Sequence, residues 1–395
     1  MSNTRPTTLD AEVAVVGLGA WGSSTLWRLA ARGVDVLGVE RFGIGHEMGS
    51  THGGTRLFRV ACLEHPGLVP LAQRSLQLWR ELEDVSGTTL LEQVGALMLG
   101  PRDGSVIAGT LAAASAHGLG AYEMPLAEVR SRFPQFADVD PDHVGVWDPD
   151  AGVARPEQGV RAAVAAAQTL GARVFSDTRA TQVELVPGAV LLQTPARTFR
   201  VRQVVVTAGA WLSRLVPQLP LQPRRTPMLW FRPPQPDPAF DVPALPAFIR
   251  ELEDSAIWGH GAMLGSGAKI GMQDVGRNFT DCEPDTVDRS IRWDRDVAEV
   301  SALVARTFPG LDPRPESVIP CMTTNSPDHQ FVLGRPGGDP RLLVGGGCSG
   351  HGFKHATGIG DALARMAVGE QPVSDLAFTD PDRTFVARPS LLATR

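Results

Sequence analysis

The chain has 395 residues, a formal charge of −6, 43% hydrophobic residues and 20% charged residues. That is the balance of an ordinary soluble protein with more chain than one core accommodates, and its negative sign argues against nucleic acid or an anionic membrane as the main partner. Met1 to Asp10 is polar, no long apolar run suggests a membrane span, and the four scattered cysteines form no CxxC pair and offer no zinc site, so a reducing, cytoplasmic location is expected.

The first predicted unit is strand, glycine turn, helix, strand, acid. An apolar run from Ala11 to Val16 leads into Gly17-Leu18-Gly19-Ala20-Trp21-Gly22, a helix is expected from Trp21 to Ala31, and a second strand from Val34 to Val39 ends on Glu40. Gly17 serves the tight turn, Gly19 lets backbone approach a pyrophosphate, and Gly22 lets helix and strand pack closely. The free N–H groups at the helix start favour phosphate, and Glu40 is placed to accept from a ribose hydroxyl. A bare glycine fingerprint is weak, but this one has its full context.

Further along, apolar spacing predicts a helix from Val69 to Leu82 and another from Pro156 to Leu170, with proline near its start. Arg173 to Phe175 reads as a short strand, Val183 to Val186 and Ala189 to Gln193 as a hairpin across Pro187-Gly188, and Val201 to Val206 as a buried strand entering Thr207-Ala208-Gly209-Ala210-Trp211. Dense prolines between Pro217 and Pro246 mark a change of domain. Ile257, Trp258, Lys269 and Ile270 fall in strand-like pieces, and Val297 to Thr307 reads as a helix. Leu342 to Val344 is a strand that ends in a glycine-rich turn, and Gly358 to Val368 is the closing helix. Nucleotide-type features thus lie at both ends and in the middle. The expected fold is α/β: a discontinuous Rossmann-type domain (1–92, 152–222 and 330–395) and a substrate domain (93–151 and 223–329).

Four further segments carry a family resemblance: Gly49-Ser50-Thr51-His52-Gly53-Gly54-Thr55-Arg56-Leu57-Phe58-Arg59, Val205-Val206-Thr207-Ala208-Gly209-Ala210-Trp211, Pro320-Cys321-Met322 and Ser349-Gly350-His351-Gly352-Phe353-Lys354. In order and spacing the chain resembles the monomeric sarcosine oxidase and N-methyltryptophan oxidase family of FAD-dependent amine oxidases, over nearly its whole length. The resemblance implies a Rossmann-type FAD-binding domain and a substrate domain floored by a mainly antiparallel sheet. It also implies hydride transfer from a carbon beside a secondary amine, reoxidation by oxygen to hydrogen peroxide, and hydrolysis of the imine. The implied cofactor contacts are Gly17, Gly19, Gly22, Glu40, Arg41, Ser50, Thr51, Arg56, Ala208, Gly209, Trp211, Gly350, Gly352, Phe353 and Lys354. The implied partners are a small-molecule amine and oxygen, and the protein is expected to act as a monomer.

Taken alone, Cys321 reads as a buried cysteine serving as a small hydrophobe; the resemblance implies a covalent bond to FAD, with Cys348 a lesser candidate. Taken alone, Arg59 and Lys354 read as surface cations; the resemblance makes them the pair that receives the substrate carboxylate, which needs fixed cations in a dry pocket. His52 and Arg56 are implied beside the flavin ring, where positive charge stabilises its reduced form. Lys269 is implied to promote reaction with oxygen, against the plain reading of an exposed strand lysine. Position alone proposes Gln273, Trp258, His260 and Thr323 as pocket lining. The family carries histidine and tyrosine where this chain has Gln273 and Thr323, so the pocket differs in shape and polarity. Those departures leave open a dehydrogenase using another acceptor, or a flavin-binding sensor. No carboxylate base is evident in the motifs.

Overall fold

A computed structural model describes residues 8–253, 255–273 and 279–387. Ala11–Val16 and Val36–Val39 pair in parallel and are almost wholly buried. Continuous apolar runs of this kind belong to strands covered on both faces. The parallel strands run in the order Arg173–Phe175, Val36–Val39, Ala11–Val16, Thr198–Val206, Leu342–Gly346. The expected hairpin, Gln182–Val186 with Ala189–Gln193, pairs with the first half of Thr198–Val206. Helix Ala20–Ala30 covers this sheet and crosses Ala356–Ala367 so closely that a Cβ on Gly360 would stand 2.4 Å from Ser24 Cβ. Leu68–Ser86 and Pro156–Thr169 complete the helical layer, with Pro156 at the helix start as its fixed φ favours.

The second sheet is mainly antiparallel. Its strands run Tyr122–Met124, His143–Asp148, Ala96–Pro101, Ala247–Glu251, Ala256–His260, Ala268–Met272, Gln222–Phe231, with Ser317–Asn325 along the far side of Gln222–Phe231. Among the described residues, Ala96–Pro101 with Ala247–Glu251 is its one parallel pairing. Strand alternation divides its faces. Leu229, Phe231 and Ile270 pack with Val300 and Val304 of helix Ala298–Thr307 and with Phe308 just beyond it. Met228, Trp230 and Cys321 cluster on the opposite face.

The ten-residue strand Gln222–Phe231 runs through the proline-rich stretch, where the sequence pattern shows only punctuation. Ser317–Asn325 pairs with it from Gln222 to Trp230, but on its other side Thr280–Asp281 reaches only Arg224 and Arg225, and Ala268–Met272 only Leu229 to Phe231. Among the described residues, no strand pairs with Pro227 on that second side. A small third sheet joins Arg56–Phe58 to Gly152–Ala154, and Gly152–Ala154 to Leu91–Glu92.

Candidate active site

A cavity of about 420 Å³ lies between the two large sheets. Loops at the carboxyl ends of the parallel strands meet there: Gly17 to Trp21, Glu40 to Phe42, Thr207 to Trp211 and Gly347 to Lys354. This is where open α/β sheets place their ligands. The second sheet contributes Met228, Ile249, Trp258, Cys321 and Thr323, with Gln273 just beyond Ala268–Met272. Of the residues singled out in the sequence, Gly17, Gly19, Glu40, Arg41, Ser50, Thr51, Arg56, Arg59, Ala208, Gly209, Trp211, Trp258, Gln273, Cys321, Thr323, Gly350, Gly352, Phe353 and Lys354 line this one cavity. Gly22, His52, His260 and Lys269 do not.

The glycine turn has the geometry of a phosphate cradle. Gly17 has φ +88°, and a Cβ there would stand 2.8 Å from Ala208 Cα. At Gly22 a Cβ would lie 1.8 Å from Gly17 O, so helix and strand touch through bare backbone. At Gly19 the nearest protein atom to such a Cβ is Thr51 Oγ1, 3.7 Å away, so that side of the loop is kept open. Glu40 is buried and fixed by Leu18 N at 2.7 Å and Phe42 N at 2.9 Å. Trp21 Nε1 donates to Gly352 O at 3.0 Å and ties the turn to the Lys354 loop. At the mouth, Asp285 reaches over from the second-sheet side. It accepts from Arg41 at 2.5 Å and Trp211 Nε1 at 2.8 Å, with Arg214 at 3.4 Å and Arg179 at 3.6 Å.

The FAD dependent oxidoreductase family model matches residues 12–366. The chain belongs to that family. It is 33% identical to monomeric sarcosine oxidase of Streptomyces avermitilis, covering 95% of this chain and 98% of that protein. It is 28% identical to N-methyl-L-tryptophan oxidase of Yersinia pestis, covering 94% and 99%. Its fold matches the open form of NikD, an unusual amino acid oxidase essential for nikkomycin biosynthesis. The TM-score is 0.81 at 23% identity, covering 97% of this chain and all of that one. Glycine oxidase of Geobacillus kaustophilus shares the fold at a TM-score of 0.78 and 21% identity, covering 96% and 100%. The open flank of Gly19, the helix start behind it and the fixed Glu40 fit FAD: the glycine turn would take the pyrophosphate and Glu40 the ribose.

At the inner end of the cavity, Arg56 Nη2 lies 3.8 Å from Cys321 Sγ and donates to Ser50 O at 2.8 Å. Arg56 Nη1 donates to Thr55 O at 2.8 Å. The thiol and the guanidinium therefore face each other across the Ser50 carbonyl. Cys348 also lines the cavity, but burial raises its thiol pKa.

Of the three side chains that miss the cavity, His52 belongs to loop 52–55, and Lys269 and His260 hydrogen-bond to that loop. Lys269 sits opposite both His260 and Trp230 in the sheet register, on the face away from Ala298–Thr307. Its ammonium donates to Gly53 O and Thr55 O, each at 3.0 Å. The plain reading of an exposed lysine is wrong here: Lys269 is 1% exposed. Burial, then Arg56, hold its pKa well below the ordinary 10.5, with Cys321 and Glu157 opposing. His260 bonds Gly261 O through Nδ1 at 2.7 Å and Thr55 Oγ1 through Nε2 at 2.8 Å. It supports the loop and does not line the pocket. His52 is buried with neither ring nitrogen hydrogen-bonded among the described residues. Burial first, then Arg56 and Lys269, push its pKa down to about 3. His52 is therefore neutral, and the positive charge in this loop comes from Arg56.

Arg59 and Lys354 do converge, and a residue the sequence did not single out joins them. Glu64 Oε1 accepts from Arg59 Nη2 and from Lys354 Nζ, each at 2.7 Å. All three line the cavity, with side chains 5% to 8% exposed. Burial works to raise the Glu64 pKa, but the two cations overcome it and hold the carboxyl well below its ordinary value. Glu64 Oε2 has no hydrogen-bond partner among the described residues. The chain thus does place a carboxylate in its site. No spacing signal marks Glu64, which sits in an irregular loop five residues after Arg59. One signal was available: the whole chain contains two lysines, Lys269 and Lys354, and both are buried here.

Proposed function

We propose that this protein oxidises a small secondary amine bearing a carboxylate, an N-methyl or cyclic amino acid, and passes the electrons to oxygen to give hydrogen peroxide. One observation carries the reading. Among the described residues lining one cavity wall, Arg59 and Lys354 bring two positive charges and Glu64 one negative charge, leaving a net cationic seat for a substrate carboxylate. The relatives named for sarcosine and N-methyl-L-tryptophan support the same class. FAD, when bound, supplies the acceptor for the hydride. Arg59 and Lys354 orient the substrate through its carboxylate. Arg56, Arg59 and Lys354 disfavour a protonated amine in the cavity, which helps the amine reach the neutral form that hydride loss requires. Trp258, Ile249, Leu57 and Leu63 give the seat apolar walls. Gln273 and Thr323 keep it free of titrating groups at those positions.

Cys321 is the proposed covalent tether, since its sulfur faces the cavity beside Arg56. Lys269 is the proposed group for oxygen. The chain is read as 1–92, 152–222 and 330–395 for FAD and 93–151 and 223–329 for substrate, acting as a cytoplasmic monomer. Among the described residues no helix is long and apolar enough to cross a membrane. The test is a screen of N-methyl and cyclic amino acids with peroxide as readout. Bleaching of the flavin colour by an amine under anaerobic conditions supports the reading. Bleaching without peroxide in air replaces oxygen by another acceptor, and no bleaching by any amine carrying a carboxylate refutes the reading. Flavin that leaves the acid-precipitated protein refutes the tether alone.

A further inference from the structure

Gly53 and Gly54 have φ of +91° and +73°, in the region that favours glycine. A Cβ on Gly53 would stand 2.6 Å from Met228 Cε, so the loop lies directly on the second sheet. The peptide unit between these glycines is held from both ends by charge. Its N–H, on Gly54, donates to Glu157 Oε1 at 3.1 Å, and its carbonyl, on Gly53, accepts from Lys269 Nζ at 3.0 Å. Gly53 N donates to the same Glu157 oxygen at 2.6 Å. Glu157 is the second residue of Pro156–Thr169, a favourable place for a carboxylate. That helix has no side-chain cap, and the Glu157 carboxylate is turned onto the glycine loop.

We propose that Glu157 is a positioning residue for Lys269: it grips the amide side of the Gly53–Gly54 peptide, aims the carbonyl at the ammonium, and keeps that lysine charged for reaction with oxygen. The proposal rests on the reading of Lys269 as the group that promotes reaction with oxygen. A hydrogen-bonded peptide between an anion and a cation is polarised in the sense that strengthens both bonds. The other groups acting on Lys269 are Arg56 from the loop, which opposes its charge, and Cys321 from Ser317–Asn325, which acts in the same sense as Glu157. His52 and His260, both with pKa lowered to about 3, bring no charge at neutral pH. Trp230 presents its ring 4.9 Å from the ammonium.

Because the chain has two lysines, lysine labelled with 13C at Cε in the FAD-loaded protein gives two signals, and Lys269→Met identifies one. The Lys269 signal is expected in its ammonium form at pH 7. Glu157→Gln keeps an acceptor for the glycine amides but removes the charge. It should move the Lys269 midpoint down by about one pH unit, a tenfold change in proton affinity. At a pH above both midpoints, its reoxidation by oxygen should slow by a factor approaching tenfold, with the loss falling on that step rather than on anaerobic reduction by the amine. Glu157→Asp should restore the midpoint. An unmoved midpoint in Glu157→Gln, equal slowing of both half-reactions, or a neutral Lys269 at pH 7 in the unaltered protein overturns the proposal. Reoxidation of Lys269→Met at the full rate overturns the underlying oxygen reading instead, and the lysine midpoint still decides whether Glu157 governs Lys269.

Discussion

Replacing Lys354 by methionine tests the carboxylate seat most directly. In the protein as it stands, two cations share one Glu64 oxygen at 2.7 Å each. Lys354→Met leaves Arg59 facing Glu64 one to one, so the seat falls from a net single positive charge to neutral. A substrate carboxylate then loses one charge-assisted hydrogen bond, worth about 1.5–3 kcal/mol. At ~1.4 kcal/mol per tenfold, kcat/KM for an N-methyl amino acid should fall roughly 10- to 150-fold. The fold should survive, because Arg59 still neutralises Glu64; the loss should stay below the ~3–5 kcal/mol expected when a buried charge is left alone. The assay is anaerobic flavin reduction by an N-methyl amino acid and by the matching amine without its carboxylate. The ratio of the two rates should collapse in Lys354→Met while flavin content stays the same. An unchanged ratio would refute the seat and the charge balance on which it rests.

Gly19→Ala should fold with its melting temperature unchanged in the flavin-free protein, because its Cβ meets nothing closer than 3.7 Å, yet it should lose FAD affinity; retained affinity contradicts the phosphate cradle. Asp285→Asn removes the charge that gathers Arg41, Arg179 and Arg214 at the mouth. In a Cys321→Ser background it should speed FAD release, and salt should speed release from the Asp285 form by screening the same contacts; release that ignores both would show the mouth is not held by ions. His52 has a folded pKa of about 3 against an ordinary 6.5, so between those values the unfolded chain binds the extra proton and stability falls with falling pH. Between pH 7 and 5 the loss should be on the order of 2 kcal/mol, and denaturant titrations of His52→Gln should show that much less acid sensitivity than the unaltered protein.

Much of the nucleotide half is legible because it is built from local signals. Ala11–Val16, Arg173–Phe175 and the hairpin around Pro187-Gly188 announce themselves by apolar runs and turn residues; Gly17 and Gly22 meet the close contacts that their places in the motif require, and Gly19 keeps its flank open. The second sheet hides for a physical reason. Gln222–Phe231 carries Arg224, Arg225, Pro223 and Pro227, and its longest pairing is with Ser317–Asn325, almost a hundred residues away. A partner that distant leaves no periodicity to read. The same holds for the site. Arg59 and Lys354 could be named singly, but Glu64 joins them only when Lys354 is brought across from the far end of the chain. His52 and His260 look like ionisable groups in the sequence, and burial makes them neutral ones.

The two lysines show why charge in this site has to be read by geometry rather than by count. Arginine serves every other position where this chain needs a basic side chain. A guanidinium is planar and spreads its donors in a fork, whereas an ammonium is compact and points its donors freely. At Lys269 the acceptors are two carbonyls of one tight glycine loop, Gly53 O and Thr55 O. At Lys354 they are Glu64 Oε1 and, at 3.3 Å, His351 O. Both places ask for a point charge converging on neighbouring oxygens in little space, and Arg56 stands close enough to Lys269 to oppose its charge. A lysine held in such a place keeps its proton only if something answers that repulsion. Glu157, on the far side of the Gly53–Gly54 peptide, is the carboxylate in position to do so.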